Sequence, residues 1–188
     1  MFIGISGNMG AGKTTFAEML REELNNYHLK ARILPFAKPL KDIAIELGWN
    51  GQKDEKGRKL LQLLGTDVGR ECINEDIWVT KWLTEATKLQ IEEDVDIIIS
   101  DDTRFINEAT AIKESRGFLI EVYGRKYKTN IGILDHASER GIQTTELITQ
   151  SIDNSGTLGD LMAVAEALAR KISDSQEDTK SFDGKELA

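Results

Sequence analysis

The sequence predicts an α/β domain built on a parallel sheet with helices on both faces. Three observations predict it. Short apolar, β-branched runs alternate with stretches of helical apolar spacing, and the segments between runs are long enough to cross from one parallel strand to the next. The first such run ends in a glycine-rich loop that leads straight into a helix. At 188 residues, with 40% hydrophobic and 30% charged content, the chain suits a single soluble domain. A chain of this size buries roughly 70% of the surface its unfolded form exposes, so it needs neither a metal nor a disulfide to hold a core.

In chain order, MFIGIS (1–6) is an apolar run ending in glycine and reads as a buried strand. Phe16, Met19, Leu20 and Leu24 recur at helical spacing behind it. ARILPF (31–36) reads as the second strand, with Pro35 at the point where it leaves the sheet. Pro39 opens a helix that runs to about 47 and stops at Gly48. After the turn-rich GWNGQKDEKG come two helices, at about 58–72 and 76–91. DVDIIIS (94–100) is a short β-branched run bounded by acids and reads as a buried strand. A helix at 106–115, a strand FLIEVY (118–123), a short strand in QSIDNSG and a helix at 158–172 complete a sheet of about five strands.

The domain spans 1–172. Within it, 48–92 forms a helical insertion, and 124–141, polar and without period, reads as a lid. Residues 173–188 carry five acids against two lysines with little to pack, and read as a mobile acidic tail.

Net charge is −8, from 24 basic and 32 acidic residues, which argues against binding a nucleic-acid polymer through a broad basic surface. Cys72 is the one cysteine, as in a reducing compartment, and the N-terminus lacks the basic flank and apolar run of a secretory signal. A cytoplasmic protein is expected. Runs of about 18 apolar residues are absent, so no membrane span is expected.

Gly7-Asn8-Met9-Gly10-Ala11-Gly12-Lys13-Thr14 matches G-x-x-x-x-G-K-[ST] between a predicted strand and a predicted helix, with Thr15 next. Glycines let the backbone wrap phosphate oxygens with N–H groups turned inward, and the positive end of the helix dipole points at the same place. Lys13 is expected on the β and γ phosphates of ATP, and Thr14 on a shared Mg²⁺. The fold class is thus the three-layer P-loop NTPase fold. Asp101 and Asp102 end the DIIIS strand, at the edge where open parallel sheets bind ligands. Asp101 is the expected second metal contact and Asp102 is expected on the acceptor; the competing role for Asp102 is to cap the next helix.

The acceptor side is expected on the segment KGRKLLQLLGTDVGREC (56–72). Wound at about 100° per residue, it gathers Arg58, Lys59, Gln62, Thr66 and Arg70 on one face and Leu60, Leu61, Leu64 and Val68 on the other. Gly65, on the polar side, removes bulk where a planar ligand could lie. The competing reading is a solvated helix surface. Arg104 should stand at the sheet edge, where a guanidinium can hold a phosphate at two points or pair with Glu108. Arg125, Lys126, Lys128 and Arg140 fall in the lid, and Arg125 is taken as catalytic with Lys13, Asp101 and Arg104. Phosphoryl transfer to an ionised phosphate oxygen needs positioning and charge neutralisation rather than a general base. Trp78 and Trp82 share a helix face and suit packing, though Trp78 could border a base. His28 and His136 have no metal-ligand spacing.

GNMGAGKTT, FAKPLKD, GRKLLQLLGTDVGRE followed by IWVTKW, SDDTRFINEA, and HASE with the SIDNSGTLGDL ending together resemble the bacteriophage deoxynucleoside monophosphate kinases, of the P-loop nucleoside monophosphate kinase-like group. The resemblance covers residues 1 to about 170. It implies ATP- and Mg²⁺-dependent transfer of a γ-phosphate to a deoxynucleoside monophosphate. It also implies acceptor contacts from Arg58, Lys59, Gln62, Gly65, Thr66 and Trp78. Asp101 or Asp102 and Arg104 would lie at the junction, with an adenine-side contact from Asn154 to Gly156. Family members can form a homodimer. Two other readings share the loop: a P-loop kinase of another phosphorylated metabolite, and a nucleotide-dependent switch, for which no pair of γ-phosphate-contacting loops stands out.

Overall fold

The computed structural model of the chain describes residues 1–124, 142 and 145–183. In chain order the elements are β1 (Phe2–Ser6), α1 (Lys13–Asn26), β2 (Ala31–Ile33), α2 (Lys38–Glu46), α3 (Glu55–Gln62), a π-helix (Leu63–Ile73), α4 (Ile77–Glu92), β3 (Ile97–Ser100), α5 (Ile106–Glu114), β4 (Phe118–Tyr123), a 3₁₀ turn (Thr145–Leu147), β5 (Gln150–Asp153) and α6 (Leu158–Asp183). The strands form one sheet in the order β2-β3-β1-β4-β5, and every pairing is parallel.

β1 is central, which is why all five of its residues are buried. Its register sets Ile3 beside Ile99 of β3 and Ile5 beside Ile120 of β4. Alternation along the strands then sorts side chains to the two faces. Ile3, Ile5, Ile97 and Ile99 pack beneath α1 and α6, against Phe16, Leu20, Leu24, Leu161 and Ala165. Phe2 and Ile98 face the other way, into a second core with Trp82, Ala86 and Ile112 from α4 and α5. Each such large side chain, fully buried, contributes about 1.5–3 kcal/mol.

Trp82 fastens the helical insertion to the sheet. Its Nε1 donates to the Leu34 carbonyl at 2.7 Å, its ring stacks on Phe36 with centroids 4.5 Å apart, and Phe2 meets it edge-on at 5.0 Å.

Three elements differ from the sequence expectation, each for a physical reason. β2 ends at Ile33 because Pro35 has no N–H to continue the ladder; the last sheet bond on that side runs from Leu34 N–H to the Ile99 carbonyl at 2.8 Å. The helix expected at 58–72 starts earlier, at Glu55, where Asp54 accepts the Gly57 N–H at 2.7 Å as an N-cap. It then changes winding at Leu63, and its closing bond, Asn74 N–H to the Gly69 carbonyl at 3.0 Å, spans five residues. Wider winding rotates the faces: Val68, expected in the core, is 46% exposed, while Gly65 and Gly69 turn inward. The last helix passes the expected end at 172 and continues to Asp183, into the stretch read as an acidic tail. No helix among the described residues is long and apolar enough to cross a membrane. The expected lid, 124–141, lies outside the described residues apart from Gly124, and with it Arg125.

Candidate active site

The loop after β1 has the geometry of a phosphate cradle. Gly7 and Gly12 hold φ of +137° and +99°, in the left-handed region that side chains avoid. A Cβ at Gly7 would run into the Val122 carbonyl of β4, and one at Gly12 into the Asn154 amide, so both positions also need glycine for space. Gly12 precedes α1 with no side chain capping the helix, which leaves the first-turn N–H groups for an anion. Lys13 Nζ folds back over the loop and donates to the Gly7 and Asn8 carbonyls at 2.8 and 2.9 Å.

The two acids after β3 part company. Asp101 Oδ2 accepts the Thr14 hydroxyl at 2.6 Å, joining the start of α1 to the end of β3. Asp102 turns the other way. Its carboxylate accepts the N–H groups of Phe36 and Ala37 at 2.7 and 3.1 Å and the Ser100 hydroxyl at 3.1 Å, so it pins the β2–α2 connection. The expected helix-capping duty falls instead to Glu108, whose Oε2 takes the N–H groups of Arg104 and Phe105 at 2.8 and 3.1 Å. Arg104 follows Asp101 by three residues in the same loop and is partly buried.

The acceptor residues divide. Arg58, Lys59 and Gln62 are exposed along α3, with Arg58 Nε on the Lys53 carbonyl at 3.0 Å. Thr66 is half-buried on the π-helix. The space at Gly65, expected to admit a planar ligand, is filled: a Cβ there would stand 3.0 Å from Leu40 of α2. Its carbonyl accepts Trp78 Nε1 at 2.8 Å and an Arg70 nitrogen at 3.2 Å. Trp78 is buried, its ring packed against Gly69 inside the insertion. Arg70 is turned inward as well, where Glu108 Oε1 accepts from it at 2.8 Å and its guanidinium lies 3.8 Å over the Phe105 ring. The wider turn of the π-helix separates it from Arg58 and Lys59, which uniform α winding would have kept on one face.

On the far side of the loop, Asn154 is 3% exposed and donates through Nδ2 to the Ala11 carbonyl at 2.8 Å. It braces the phosphate loop from within. Gly156 is exposed beside Asp160, whose carboxylate accepts from the Thr157 N–H and hydroxyl at 2.7 and 2.8 Å. Those bonds hold the Asp160 carboxyl below its ordinary pKa. Asp102 and Asn154 as braces were hidden from sequence reasoning because their partners are backbone groups far away in the chain; Glu108 caps N–H groups three and four residues before it, and it is its bond to the distant Arg70 that was hidden. The Glu three residues after Phe105 was the one local signal.

A parallel sheet in this order, with a G-x-x-x-x-G-K-T loop, a Thr–Asp contact at its carboxyl edge and a helical insertion, defines a P-loop phosphotransferase-type domain. Residues 44–164 match the deoxynucleotide monophosphate kinase family model, and the chain belongs to that family. It is 33% identical over 102 residues to the deoxynucleoside-5'-monophosphate kinase of Escherichia phage T5, a match covering 52% of this chain and 38% of that one. The chain thus spans well under half the length of that relative. It is 30% identical over 146 residues to a provisionally named deoxynucleotide monophosphate kinase of Acanthamoeba polyphaga mimivirus, covering 65% and 73%. Among solved structures, a dephospho-CoA kinase from Campylobacter jejuni superposes over 93% of this chain and 98% of its own, with a TM-score of 0.54 at 17% identity. That likeness shows the fold alone.

Proposed function

We propose that the protein transfers the γ-phosphate of ATP to a deoxynucleoside monophosphate, giving the diphosphate and ADP, with Mg²⁺ as cofactor. The observation that carries the reading is the 2.6 Å contact of Thr14 with Asp101 beside the phosphate loop. Family membership supports the acceptor class.

The donor set fits magnesium: a hydroxyl and a carboxylate, both hard oxygen ligands, converge where the β and γ phosphates would lie. Thr14 and Asp101 would hold the ion or its waters, and when bound it neutralises charge on the phosphates. Loop amides and the N-terminus of α1 grip the donor's phosphates, while Lys13 exchanges its two carbonyl partners for phosphate oxygens. Arg58, Lys59, Gln62 and Thr66 receive the acceptor on the insertion, and Arg104 supplies guanidinium charge at the junction, a catalytic duty that the sequence also assigns to Arg125. Asp102 serves by fixing the β2–α2 connection rather than by touching the acceptor. The acceptor phosphate is already ionised, so no base is required. A reducing cytoplasm suits the exposed thiol of Cys72.

The test is a substrate panel. Purified protein with ATP and Mg²⁺ should form ADP only when a deoxynucleoside monophosphate is added. Turnover of a non-nucleotide phosphorylated metabolite alone, or ATP hydrolysis indifferent to any acceptor, would overturn the assignment.

A further inference from the structure

Glu108 is 3% exposed, and its two carboxylate oxygens serve two different parts of the molecule. Oε2 accepts the Arg104 and Phe105 N–H groups, closing the β3–α5 loop over the sheet edge. Oε1 accepts from Arg70, which comes from the π-helix of the insertion. A helix cap needs only the first of these. An exposed glutamate would cap α5 as well without the desolvation that burial imposes, which for an ionised carboxylate is several kcal/mol even after relaxation. That burial drives its carboxyl up, against the pull of the two N–H groups and of Arg70, and desolvation likewise lowers the Arg70 pKa.

Arg70 shows the same surplus. Its Nη groups are spent on Glu108 and the Gly65 carbonyl, its guanidinium lies over Phe105, and its buried Nε meets no acceptor among the described residues. Stability alone would be served as well by an apolar pair of similar volume. What the pair does achieve is a fixed relation between the insertion and the sheet edge. A second stitch runs parallel to it: Asn107, which receives the Glu108 N–H, donates to the Glu75 carbonyl and the Asp76 carboxylate just before α4.

We propose that Glu108 is a positioning residue for the acceptor: by holding Arg70 with one oxygen and the Arg104 backbone with the other, it sets the distance between the insertion and the phosphate loop. This rests on the proposed function above. The phosphate loop is braced separately, by Asn154 on the Ala11 carbonyl and by Lys13 on the Gly7 and Asn8 carbonyls, so the two substrates should respond differently to the loss of this link.

An amide separates the two duties, because a glutamine has one acceptor oxygen and can keep the cap or the arginine but not both. Glu108→Gln should therefore fold, and raise the KM for the monophosphate about tenfold while leaving the KM for ATP within about twofold. Glu108→Ala should do the same at greater cost in melting temperature, and Glu108→Gln with Arg70→Met should be no worse for acceptor KM than Glu108→Gln alone. Should Glu108→Ala fail to fold, the glutamine variant alone decides. Parallel losses for ATP and monophosphate, or no change in acceptor KM in a folded Glu108→Gln, would overturn the positioning role. A wild type inactive on every deoxynucleoside monophosphate would instead overturn the function on which it rests.

Discussion

Thr14 and Asp101 stand 87 residues apart in sequence and are joined by a 2.6 Å hydrogen bond at the carboxyl edge of the sheet. Parallel pairing of β1 with β3 brings them together: Asp101 follows the last residue of β3 directly, and the glycine loop after β1 returns the chain so that Thr14, in the first turn of α1, lies at the same edge. Asp101→Asn keeps the shape and removes the charge. It should lower kcat by about a hundredfold, in the range seen when one preorganised electrostatic contact is lost, and raise the Mg²⁺ concentration needed for half-maximal rate. Magnesium titrations of the two proteins read this directly; an unchanged magnesium requirement would remove Asp101 from the metal site.

Lys13→Ala should abolish most turnover, by about a hundredfold or more, because the loop then has no mobile cation for the phosphates. Arg58→Ala and Arg104→Ala should act chiefly on the acceptor, raising its KM by about tenfold. Steady-state kinetics with each substrate varied in turn separate the roles. ATP affinity falling equally in all three variants would contradict the division.

The glycines of the π-helix are not equivalent. A Cβ at Gly69 would sit 2.7 Å from the Trp78 ring and 2.8 Å from the Leu64 carbonyl, one a buried ring and the other backbone. At Gly65 it would meet only the tip of Leu40 at 3.0 Å. Gly69→Ala should thus destabilise by about 1–3 kcal/mol and Gly65→Ala by less than about 1 kcal/mol, read as shifts in urea midpoint. Equal shifts would mean that the insertion repacks freely around Trp78.

Glu108 makes stability depend on pH in an unusual direction for a carboxylate. Burial raises its pKa from 4.5 to about 7, so the folded protein keeps a proton that the unfolded chain has already released between those values. The folded pKa lies above the unfolded one, so the contribution is complete below about 4.5 and is lost as pH rises through about 7. Full loss amounts to about 3 kcal/mol. Glu108→Gln stays neutral throughout, so the stability of wild type relative to this variant should decline between about pH 5 and about pH 8 in urea unfolding. A gap that does not vary with pH would show that Arg70 keeps the carboxylate ionised across the range.

Much of this architecture was legible in the sequence. FLIEVY coincides with β4, Pro39 and Gly48 bracket α2, and the G-x-x-x-x-G-K-T spacing located the phosphate loop and with it Thr14. These signals are local, written by periodicity and by residues with special backbone needs. The acceptor side was less legible. Winding 56–72 as one α-helix put Val68 in the core and Arg70 on the acceptor face, and no residue in that stretch announces the change at Leu63. The glycines at 65 and 69 look like gaps until Leu40 and Trp78 are known to fill them. Asp102 looked like a ligand contact because it follows a strand at the correct edge, and Asn154 because the family resemblance implied one. Their carboxylate and amide are taken by Phe36, Ala37 and Ala11, partners that only the assembled sheet brings near.

Incubation with ATP labelled on its γ-phosphate, Mg²⁺ and a single deoxynucleoside monophosphate, followed by separation of the products, tests the central claim most directly. Label should move from ATP into the deoxynucleoside diphosphate, with one ADP formed for each transfer. Label released as inorganic phosphate, at a rate that ignores the added nucleotide, would contradict it.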